Sequence, residues 1–312
     1  MLVIKDSDKP EYNKNSVVTV GTFDGIHLGH KKIIADLIRI KSEKNLRSVI
    51  VTFEPHPQII LRNKNSTIRL LSTLEEKLLE FEKLGIDLVY ILNFTKEFSE
   101  IHAENFYRDY LIGRVGLTDI VFGYDHNFGK NREGNYDTLK DFSAKYGIGV
   151  HKVDEFKING YKVNSTTVRE FLINGDVEKA VYILGHYYYL TGKVVYGDKR
   201  GSTIGFPTAN VRTLSEYKLV PKNGVYFVFA EVKGKKYFGM MNIGKRPTIA
   251  ERDEIFLEVN IFDFNEDIYG ETIKIDFIKY LRDEKKFDSL DELAVQLNKD
   301  KEICKELIKN NF

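Results

Sequence analysis

The amino-acid sequence predicts an α/β, Rossmann-like domain followed by a small antiparallel β-barrel domain with a C-terminal helix. In residues 1–185, buried-strand patterns alternate with helical patterns, which is typical of a parallel sheet with right-handed crossovers. In residues 186–312, short aromatic and β-branched strand patterns follow one another until a final helix. The length of 312 residues exceeds the size at which one hydrophobic core usually keeps growing. We therefore expect two domains, 1–185 and 186–312.

The first domain is predicted from apolar runs and from apolar residues that recur at helical spacing. The predicted strands are residues 16–20, 48–53, 86–92 and 120–123. The predicted helices begin at residues 31, 72, 103 and 138. In the second of these helices, Ser72 and Glu75 are spaced as a capping box, and Gly85 stands where a C-terminal cap is expected. Ligands of such sheets bind at the carboxyl ends of the strands, so we expect the site there.

The second domain is predicted from short strands that are separated by turns. The run begins within residues 186–192 and continues with residues 193–196, 224–230, 236–241 and 255–262. A final helix, residues 289–308, begins at a capping box of Ser289 and Glu292. Its apolar residues recur at helical spacing, so we expect it to pack against the barrel.

Composition and charge exclude several classes of protein. With 47 basic and 46 acidic residues, the chain has no excess charge that would favour nucleic acid or an anionic membrane as a partner. The single cysteine, Cys304, excludes an internal disulfide framework and fits a reducing compartment. No secretory pattern and no apolar run of membrane-spanning length is found, so we expect a cytoplasmic protein. An oligomer is compatible with this sequence, which does not specify one.

The segment Gly-Thr-Phe-Asp-Gly-Ile-His-Leu-Gly-His, residues 21–30, joins the first predicted strand to a helix. His27 and His30 therefore lie near a helix N-terminus, where free N–H groups and the helix dipole favour an anion. Two imidazoles three residues apart share one face and can donate hydrogen bonds to the same phosphate. Gly29 between them lets a nucleotide approach the backbone. This is the HxGH signature of nucleotidylyltransferases, which attack the α-phosphate of a nucleoside triphosphate.

Two other interpretations of the histidine pair are open. The pair could bind a metal, but no HExxH pattern and no nearby third ligand supports zinc. The histidines could also simply cap a helix at the surface. Their position between a buried strand and a helix favours phosphate binding.

Two further loops are expected at the same edge of the sheet. Residues 123–132 resemble a P-loop, but Asn131 stands where serine or threonine is needed, so we reject that interpretation and keep a plain charged loop as the alternative. In residues 164–169, Ser165, Thr166 and Arg169 would offer hydroxyls, helix N-terminal amides and a guanidinium to a triphosphate. Taken alone, the hydroxyl pair is a helix cap.

The chemical segment of the second half is residues 197–210, Gly-Asp-Lys-Arg-Gly-Ser-Thr-Ile-Gly-Phe-Pro-Thr-Ala-Asn. Three glycines free its loop to wrap phosphates with backbone amides, namely Gly197, Gly201 and Gly205. Thr208 and Asn210 alternate on one side of an extended segment, so both oxygens can reach one Mg²⁺. A plain Gly/Pro turn before a strand is the alternative.

Glu258 lies within the apolar strand of residues 255–262. A carboxylate there either faces solvent by simple alternation or points inward as a general base. Sequence periodicity leaves both interpretations open.

The chain resembles the bifunctional prokaryotic riboflavin kinase/FMN adenylyltransferases, also called FAD synthetases, over essentially its whole length. The adenylylation motifs of that family match residues 21–30, 52–57 and 123–129 and the pattern Ser165-Thr166-x-x-Arg169. The kinase motifs match residues 205–210, 242–248, Glu258, 269–270 and 280–282. The resemblance implies ATP as co-substrate, Mg²⁺ as cofactor, and riboflavin, FMN and FAD as ligands.

For the first half, the resemblance implies that His27 and His30 stabilise charge on ATP while the FMN phosphate attacks the α-phosphorus in line. Pyrophosphate then leaves from the side of Ser165, Thr166 and Arg169. Further residues implied for ATP binding are Gly21, Phe23, Asp24, Gly25 and Gly29. Those implied for flavin binding are His56, Asp125 and Phe128.

For the second half, the resemblance implies that Glu258 takes the proton of the riboflavin 5′-hydroxyl. Thr208 and Asn210 would hold the Mg²⁺ of ATP, the loop of Gly197, Gly201 and Gly205 would embrace the phosphates, and Arg282 would border the flavin. The chain departs from the family pattern at four positions, which are His126, Thr167, Ser202 and Asn260.

Two rival functions follow from the same residues. Another HxGH transferase, such as a cytidylyltransferase or a pantetheine-phosphate adenylyltransferase, would lack the Pro-Thr-Ala-Asn barrel. A flavin-binding module without turnover would have lost Glu258 or the two histidines, and this chain has all three.

Overall fold

A computed structural model describes residues 1–8, 15–62, 67–124, 129–130, 133–197, 201, 204–246 and 254–312. The chain divides into two compact units, Met1–Ser165 and Thr166–Phe312. Within the described residues, no helix is long and apolar enough to cross a membrane.

The first unit is built on a six-stranded sheet in the order β1-β4-β3-β2-β5-β6, in which every neighbouring pair is parallel. Its strands are β1 (Leu2–Lys5), β2 (Ser16–Val20), β3 (Arg47–Glu54), β4 (Leu88–Asn93), β5 (Leu117–Gly123) and β6 (Gly149–Val153). A hairpin of β7 (Lys157–Ile158) and β8 (Tyr161–Lys162) follows the sheet. The predicted parallel, Rossmann-like sheet is confirmed.

Helices cover both faces of this sheet, so its central strands are buried on both sides. They are α1 (Leu28–Lys44), α2 (Pro57–Leu61), α3 (Leu74–Lys83), α4 (Lys96–Ser99), α5 (Ala103–Asn105), α6 (Gly113–Val115) and α7 (Tyr136–Tyr146), with a 3-10 turn at Asp6–Asp8 and a π-helical stretch at Phe106–Ile112. Val49 and Val51 of β3 pack in one core cluster, while Ile50 packs in the other with α1 and α3. Alternate residues of one strand therefore serve two cores.

The predicted capping box of α3 is wrong by one residue. Thr73 is the N-cap and accepts from the Glu76 amide, while the Glu76 carboxylate accepts from the Thr73 amide. Ser72 has another task, since its hydroxyl accepts from the Gly25 amide at 2.9 Å. The spacing was right, but two neighbouring residues offered the same pattern.

The second unit begins with α8 (Ser165–Asn174, whose first residue closes the first unit) and α9 (Val177–Leu184). A closed antiparallel barrel follows in the order β10-β13-β12-β11-β14-β9. Its strands are β9 (Tyr189–Val195), β10 (Ala209–Thr213), β11 (Gly224–Val232), β12 (Lys235–Arg246), β13 (Glu254–Ile261) and β14 (Thr272–Arg282). The barrel ends in α10 (Leu290–Asn311), for which Ser289 is the N-cap.

The predicted barrel and its terminal helix are confirmed, and the helix packs as expected. Leu297, Leu307 and Ile308 of α10 contact a core cluster that contains Phe227 of β11 and Met240 of β12. Sequence patterns missed β14, although its side chains are among the most buried of the barrel. Its apolar residues alternate with Lys274, Asp276 and Lys279, which weakens the apolar signal.

Candidate active sites

The first candidate site is the loop between β2 and α1. His27 is the N-cap of α1, and its Nδ1 atom accepts a hydrogen bond from the His30 amide at 3.3 Å. The two rings stack with centroids 3.7 Å apart and planes inclined by 17°. The structure therefore brings both histidines to the helix N-terminus, as the spacing predicts. His27 also caps the helix, although its side chain is buried rather than at the surface.

The loop itself has an unusual backbone. Phe23 and Ile26 have positive φ angles of 50° and 39°, and Gly25 has a φ of 84°. Positive φ is costly for residues that carry a Cβ atom, so surrounding contacts must hold the loop. The buried Asp24 carboxylate supplies such contacts, because it accepts from the amides of Leu71 at 2.9 Å and Ser72 at 3.0 Å.

A second predicted loop meets the first within the same unit. The Ser165 hydroxyl donates to the Asp24 carbonyl at 2.9 Å. A Cβ atom at Gly29 would lie 3.0 Å from Nδ1 of His27 and 3.2 Å from the Val163 carbonyl oxygen, so glycine is the residue that fits. Thr166 and Arg169 follow in α8 and belong to the second unit.

The glycine that opens the loop lies at the end of β2. The Gly21 amide donates to the Val51 carbonyl at 3.0 Å, which extends the pairing of β2 with β3 by one residue. The ring of Phe23 lies 5.1 Å from that of His30 and 5.5 Å from that of Phe81. Phe23 therefore supports the histidine ring from the protein core.

The charge state of His30 is set by its surroundings. Burial lowers the pKa of His30 well below 6.5, and the nearby charges of His27 and Lys77 lower it further. The ring is therefore neutral at pH 7. Its Nδ1 atom is buried and makes no hydrogen bond to any residue that the structure describes.

Sequence patterns missed Lys77, a buried lysine of α3. Only 3% of its surface is exposed, and its Nζ atom donates to the Thr22 carbonyl at 3.2 Å. Its position four residues before Phe81 places it on the buried stripe of the helix. A lysine on an apolar stripe is the signal that could have revealed it.

The structure describes one of the three residues predicted to bind flavin in the first unit. His56 is buried and is the N-cap of α2, where its Nδ1 atom accepts from the Gln58 amide at 3.2 Å. Asp125 and Phe128 lie outside the described residues, as does the departure at His126.

The second candidate site lies at the barrel, around Glu258 of β13. Glu258 pairs with Asn210 of β10 on one side and with Asn242 of β12 on the other. Glu258 and Asn242 line a cavity of about 530 Å³. The open question about this carboxylate is therefore answered, since it points into a cavity rather than to bulk solvent.

Thr208 lines this cavity and also a second one of about 330 Å³. Behind it, the side-chain amide of the buried Asn260 donates to the Pro207 carbonyl at 2.7 Å, which holds the Pro-Thr-Ala-Asn segment against β13. Asn260 is one of the four departures from the family pattern, and here it has a clear structural partner.

The glycines of the loop before β10 have different surroundings. A Cβ atom at Gly197 would lie 2.0 Å from the side-chain amide nitrogen of Asn210, so a larger residue there would displace the Asn210 side chain. Gly201 lines the larger cavity and accepts a backbone hydrogen bond from Phe206 at 2.9 Å. Gly205 has a φ of 79° at the turn. The loop residues 198–200 and 202–203, which include Ser202, lie outside the described residues.

Arg282 lines the larger cavity, but its guanidinium has a protein partner. Its Nε and Nη2 atoms donate to the carboxylate of Asp300 at distances of 2.7–3.0 Å. Asp300 is 1% exposed and also accepts from Gln296 at 2.9 Å. This ion pair fixes α10 to the end of β14, where Leu293 and Leu297 of α10 line the same cavity.

Comparisons with known proteins agree with this architecture. Residues 9–167 match the family described as FAD synthetase, and residues 184–308 match the family described as riboflavin kinase. Bifunctional riboflavin kinase/FMN adenylyltransferase from Bacillus subtilis is 40% identical over 94% of this chain and 92% of its own length. The enzyme of the same name from Escherichia coli K12 is 35% identical over 93% of this chain and 92% of its own length.

A solved structure supports the same fold over the full length. It is described as a macrolide-efflux protein from Streptococcus pneumoniae, is 33% identical, and aligns with a TM-score of 0.90 over 98% of this chain and 99% of that one. Taken with the relatives, these matches show an enzyme with an HxGH-type nucleotidyltransferase fold and a flavokinase barrel. The chain belongs to the family of bifunctional riboflavin kinase/FMN adenylyltransferases. The predicted pair of activities and their order along the chain are confirmed.

Proposed function

We propose that the loop of His27 and His30 transfers the adenylyl group of ATP to FMN. A phosphate oxygen of FMN forms the new bond to the α-phosphorus, the bond from that phosphorus to the bridging oxygen breaks, and pyrophosphate leaves. The attacking phosphate is already an anion, so this step needs positioning and charge stabilisation rather than a base. The stacked histidine pair at the N-terminus of α1 is the observation that carries the proposal.

The ring nitrogens support this role. Nδ1 of His27 accepts from a backbone amide, so a neutral ring carries its proton on Nε2, from which it can donate to a phosphate oxygen. Burial keeps His30 neutral, so it too offers one donor without a formal charge. The free amides of the first turn of α1 add further donors.

The remaining residues of the first site receive narrower roles. Gly21, Phe23, Asp24, Gly25 and Gly29 are proposed to shape the nucleotide loop, and the contacts of Asp24 and Gly29 favour a structural part in it. We assign the pyrophosphate side to Ser165, Thr166 and Arg169. The flavin is assigned to His56, Asp125 and Phe128.

For the barrel, we propose that Glu258 accepts the proton of the riboflavin 5′-hydroxyl. The resulting oxygen attacks the γ-phosphorus of ATP, and ADP leaves. The position of Glu258 between Asn210 and Asn242, facing a cavity, supports this assignment. The ring system of riboflavin suits the larger, mostly apolar cavity, and the nucleotide suits the smaller one, with Thr208 at both.

ATP is the co-substrate that both families use. We propose Mg²⁺ as its partner in the barrel, held by Thr208 and Asn210. The donor set fits, because Mg²⁺ prefers oxygen ligands and the two side chains offer a hydroxyl and an amide oxygen beside the Glu258 carboxylate. When bound, the ion would neutralise charge on the ATP phosphates.

We also propose a cytoplasmic enzyme without nucleic-acid or membrane partners, with riboflavin, FMN, FAD and ATP as its ligands. The buried, unpaired Cys304 is compatible with a reducing compartment. The kinase domain is proposed to begin at residue 186, close to the start of the riboflavin kinase match at residue 184.

A direct assay tests these roles. The purified chain is supplied with riboflavin, ATP and MgCl₂, and the flavins are separated by chromatography while pyrophosphate release is measured. We expect FMN to appear first and FAD to follow with one pyrophosphate per FAD. Formation of FMN without FAD, even when FMN is supplied directly, would contradict the assignment of the first site.

A further inference from the structure

We propose that Lys77 is a positioning residue of the FMN adenylyltransferase site, where its buried ammonium group holds the loop of residues 21–30 and places positive charge close enough to act on His30. The proposal rests on the assignment of His27 and His30 to that site, and the experiment below tests the two separately.

Lys77 is a buried cation, and among the described residues its ammonium group donates to one backbone carbonyl. Lys77 is 3% exposed, and its Nζ atom donates to the Thr22 carbonyl at 3.2 Å. Lysine is almost never fully buried unless its charge has partners. Phe81, one turn further along α3, contacts Phe23 of the loop at 5.5 Å between ring centroids. Two successive turns of α3 therefore face the loop.

The backbone of the loop of residues 21–30 is strained. Thr22 immediately precedes Phe23, whose φ is 50°. A backbone in this region persists only where the surroundings over-determine it. Asp24 fixes the middle of the loop through the amides of Leu71 and Ser72. Lys77 fixes the carbonyl at its start, so the loop that ends at the histidine pair is held from both α3 and the segment before it.

Charged groups surround His30 and Lys77. The charged groups that face His30 are His27 and Lys77, and both act with burial to lower the pKa of His30. The pKa of Lys77 is lowered by its burial, while the carboxylates of Asp24, Glu54 and Glu75 act in the opposite direction. A buried cation strengthens an anion site because the local dielectric constant is low. Burial is the main cause of the lowered pKa of His30, and the charge of Lys77 adds to it and favours bound phosphates.

The main variant is Lys77→Met, which keeps an unbranched side chain that is one atom shorter and removes the charge and the donor. We expect kcat for FAD formation from FMN to fall about 10²-fold, the usual order for a loss of alignment at a reacting centre. Riboflavin kinase activity of the same chain should be unchanged. Lys83→Met is the matched control, because it removes an exposed lysine of α3 that pairs only with Glu80 among described contacts.

The pH profile separates positioning from packing. In the parent, FAD formation should persist below pH 6.5, because His30 stays neutral there. In Lys77→Met the acid limb should move to higher pH, since one cause of the lowered pKa is gone. The profile is measured as kcat/KM, which reports the free enzyme and free FMN; free FMN titrates equally with both proteins, so a difference between the limbs reports on the protein. Lys77→Arg, which keeps the charge, should restore the parental limb.

The results of these assays distinguish a positioning role of Lys77 from a role in packing or stability. Parental kcat and an unmoved acid limb in a folded Lys77→Met protein would overturn the proposal. Equal losses in the Met and Arg variants with the parental acid limb would assign Lys77 to packing alone. If neither variant unfolds cooperatively, Lys77 is a stability determinant and the proposal is wrong. If His27→Ala with His30→Ala retains FAD formation, the site assignment itself is wrong.

Discussion

The loop of the first unit and the barrel cavity of the second are proposed to bind the same co-substrate, ATP, with different side chains. The first places two stacked imidazoles at a helix N-terminus, and the second places a carboxylate between two asparagines on neighbouring strands. With the proposed roles, the two nucleophiles account for this difference. An FMN phosphate attacks as an anion and needs charge stabilisation, whereas the hydroxyl of riboflavin must lose a proton and needs a base.

The two sites also differ in how they are held. The histidine loop is a strained segment fixed by Asp24, Ser72 and Lys77. Glu258 lies inside a regular strand, where the ladder of a closed barrel fixes it. We therefore expect substitutions around the loop to reduce rate through misalignment, and those around Glu258 to act through chemistry.

The largest effect is expected from Glu258→Gln, which keeps the size of the side chain but cannot accept the proton. Loss of a general base costs roughly 10²–10⁴ in rate, so FMN formation should fall by this factor while FAD formation from FMN continues. The measurement is flavin chromatography with riboflavin or FMN as the substrate. Glu271→Gln, at an exposed position of the same unit, is the control. Parental kinase activity would show that Glu258 is only a carboxylate in a cavity wall.

The converse variant, His27→Ala with His30→Ala, removes both imidazoles from the loop. Loss of one preorganised donor typically costs on the order of 10²–10³ in rate, so FAD formation should fall at least that far. Riboflavin kinase activity should remain. His151→Ala serves as the control, because this histidine of the first unit pairs with Asp119 at 2.7 Å and has no proposed role. A folded double variant with unchanged FAD synthesis would refute the assignment.

A third variant, Arg282→Met, tests whether the ion pair with Asp300 holds α10 against the barrel. It leaves the carboxylate of Asp300 buried with Gln296 as its remaining side-chain partner in the described contacts. Breaking a buried pair in this way costs about 3 kcal/mol or more, so the second unit should unfold at clearly lower denaturant concentration. We also expect a higher KM for riboflavin, because Leu293 and Leu297 of α10 line the cavity. Unchanged stability would mean that the ion pair does not secure α10.

The smallest effect is expected from moving the start of an isolated kinase fragment. Fragments 186–312 and 166–312 should both phosphorylate riboflavin, since all residues assigned to that reaction lie in both. The longer fragment should be more stable, because α9 packs on β14 and contributes buried Ala180, Ile183 and Leu184. Denaturant unfolding and FMN production measure the two quantities. A shorter fragment that folds and binds flavin without making FMN would show that the kinase needs groups from residues 1–185.

Much of this account could be predicted from the sequence, because its signals are local. The strand at residues 16–20 has the predicted bounds, since an apolar run is recognised within a few positions. The histidine pair was found for the same reason. The capping box was misplaced because Ser72 and Thr73 are equivalent as caps, and only the contact of Ser72 with Gly25 decides between them.

The rest depends on contacts between distant segments. Asn242 flanks Glu258 only through the register of β12 against β13, which no local pattern encodes. The partner of Arg282 lies 18 residues further along, on the face of α10 that turns inward. In the sequence, Lys77 is one lysine of a helix, and only the fold brings the Thr22 carbonyl within hydrogen-bond distance of it. Polar groups that hold a site together are therefore harder to predict than those that perform its chemistry.

The division of labour between the two sites can be tested in one mixing experiment. Glu258→Gln and His27→Ala/His30→Ala proteins are assayed alone and together with riboflavin, ATP and MgCl₂, and FAD is measured by chromatography. The account predicts little FAD from either variant alone and restored FAD synthesis from the mixture, because one protein supplies FMN and the other adenylylates it. Full FAD synthesis by either variant alone, or none by the mixture of two folded proteins, would contradict it.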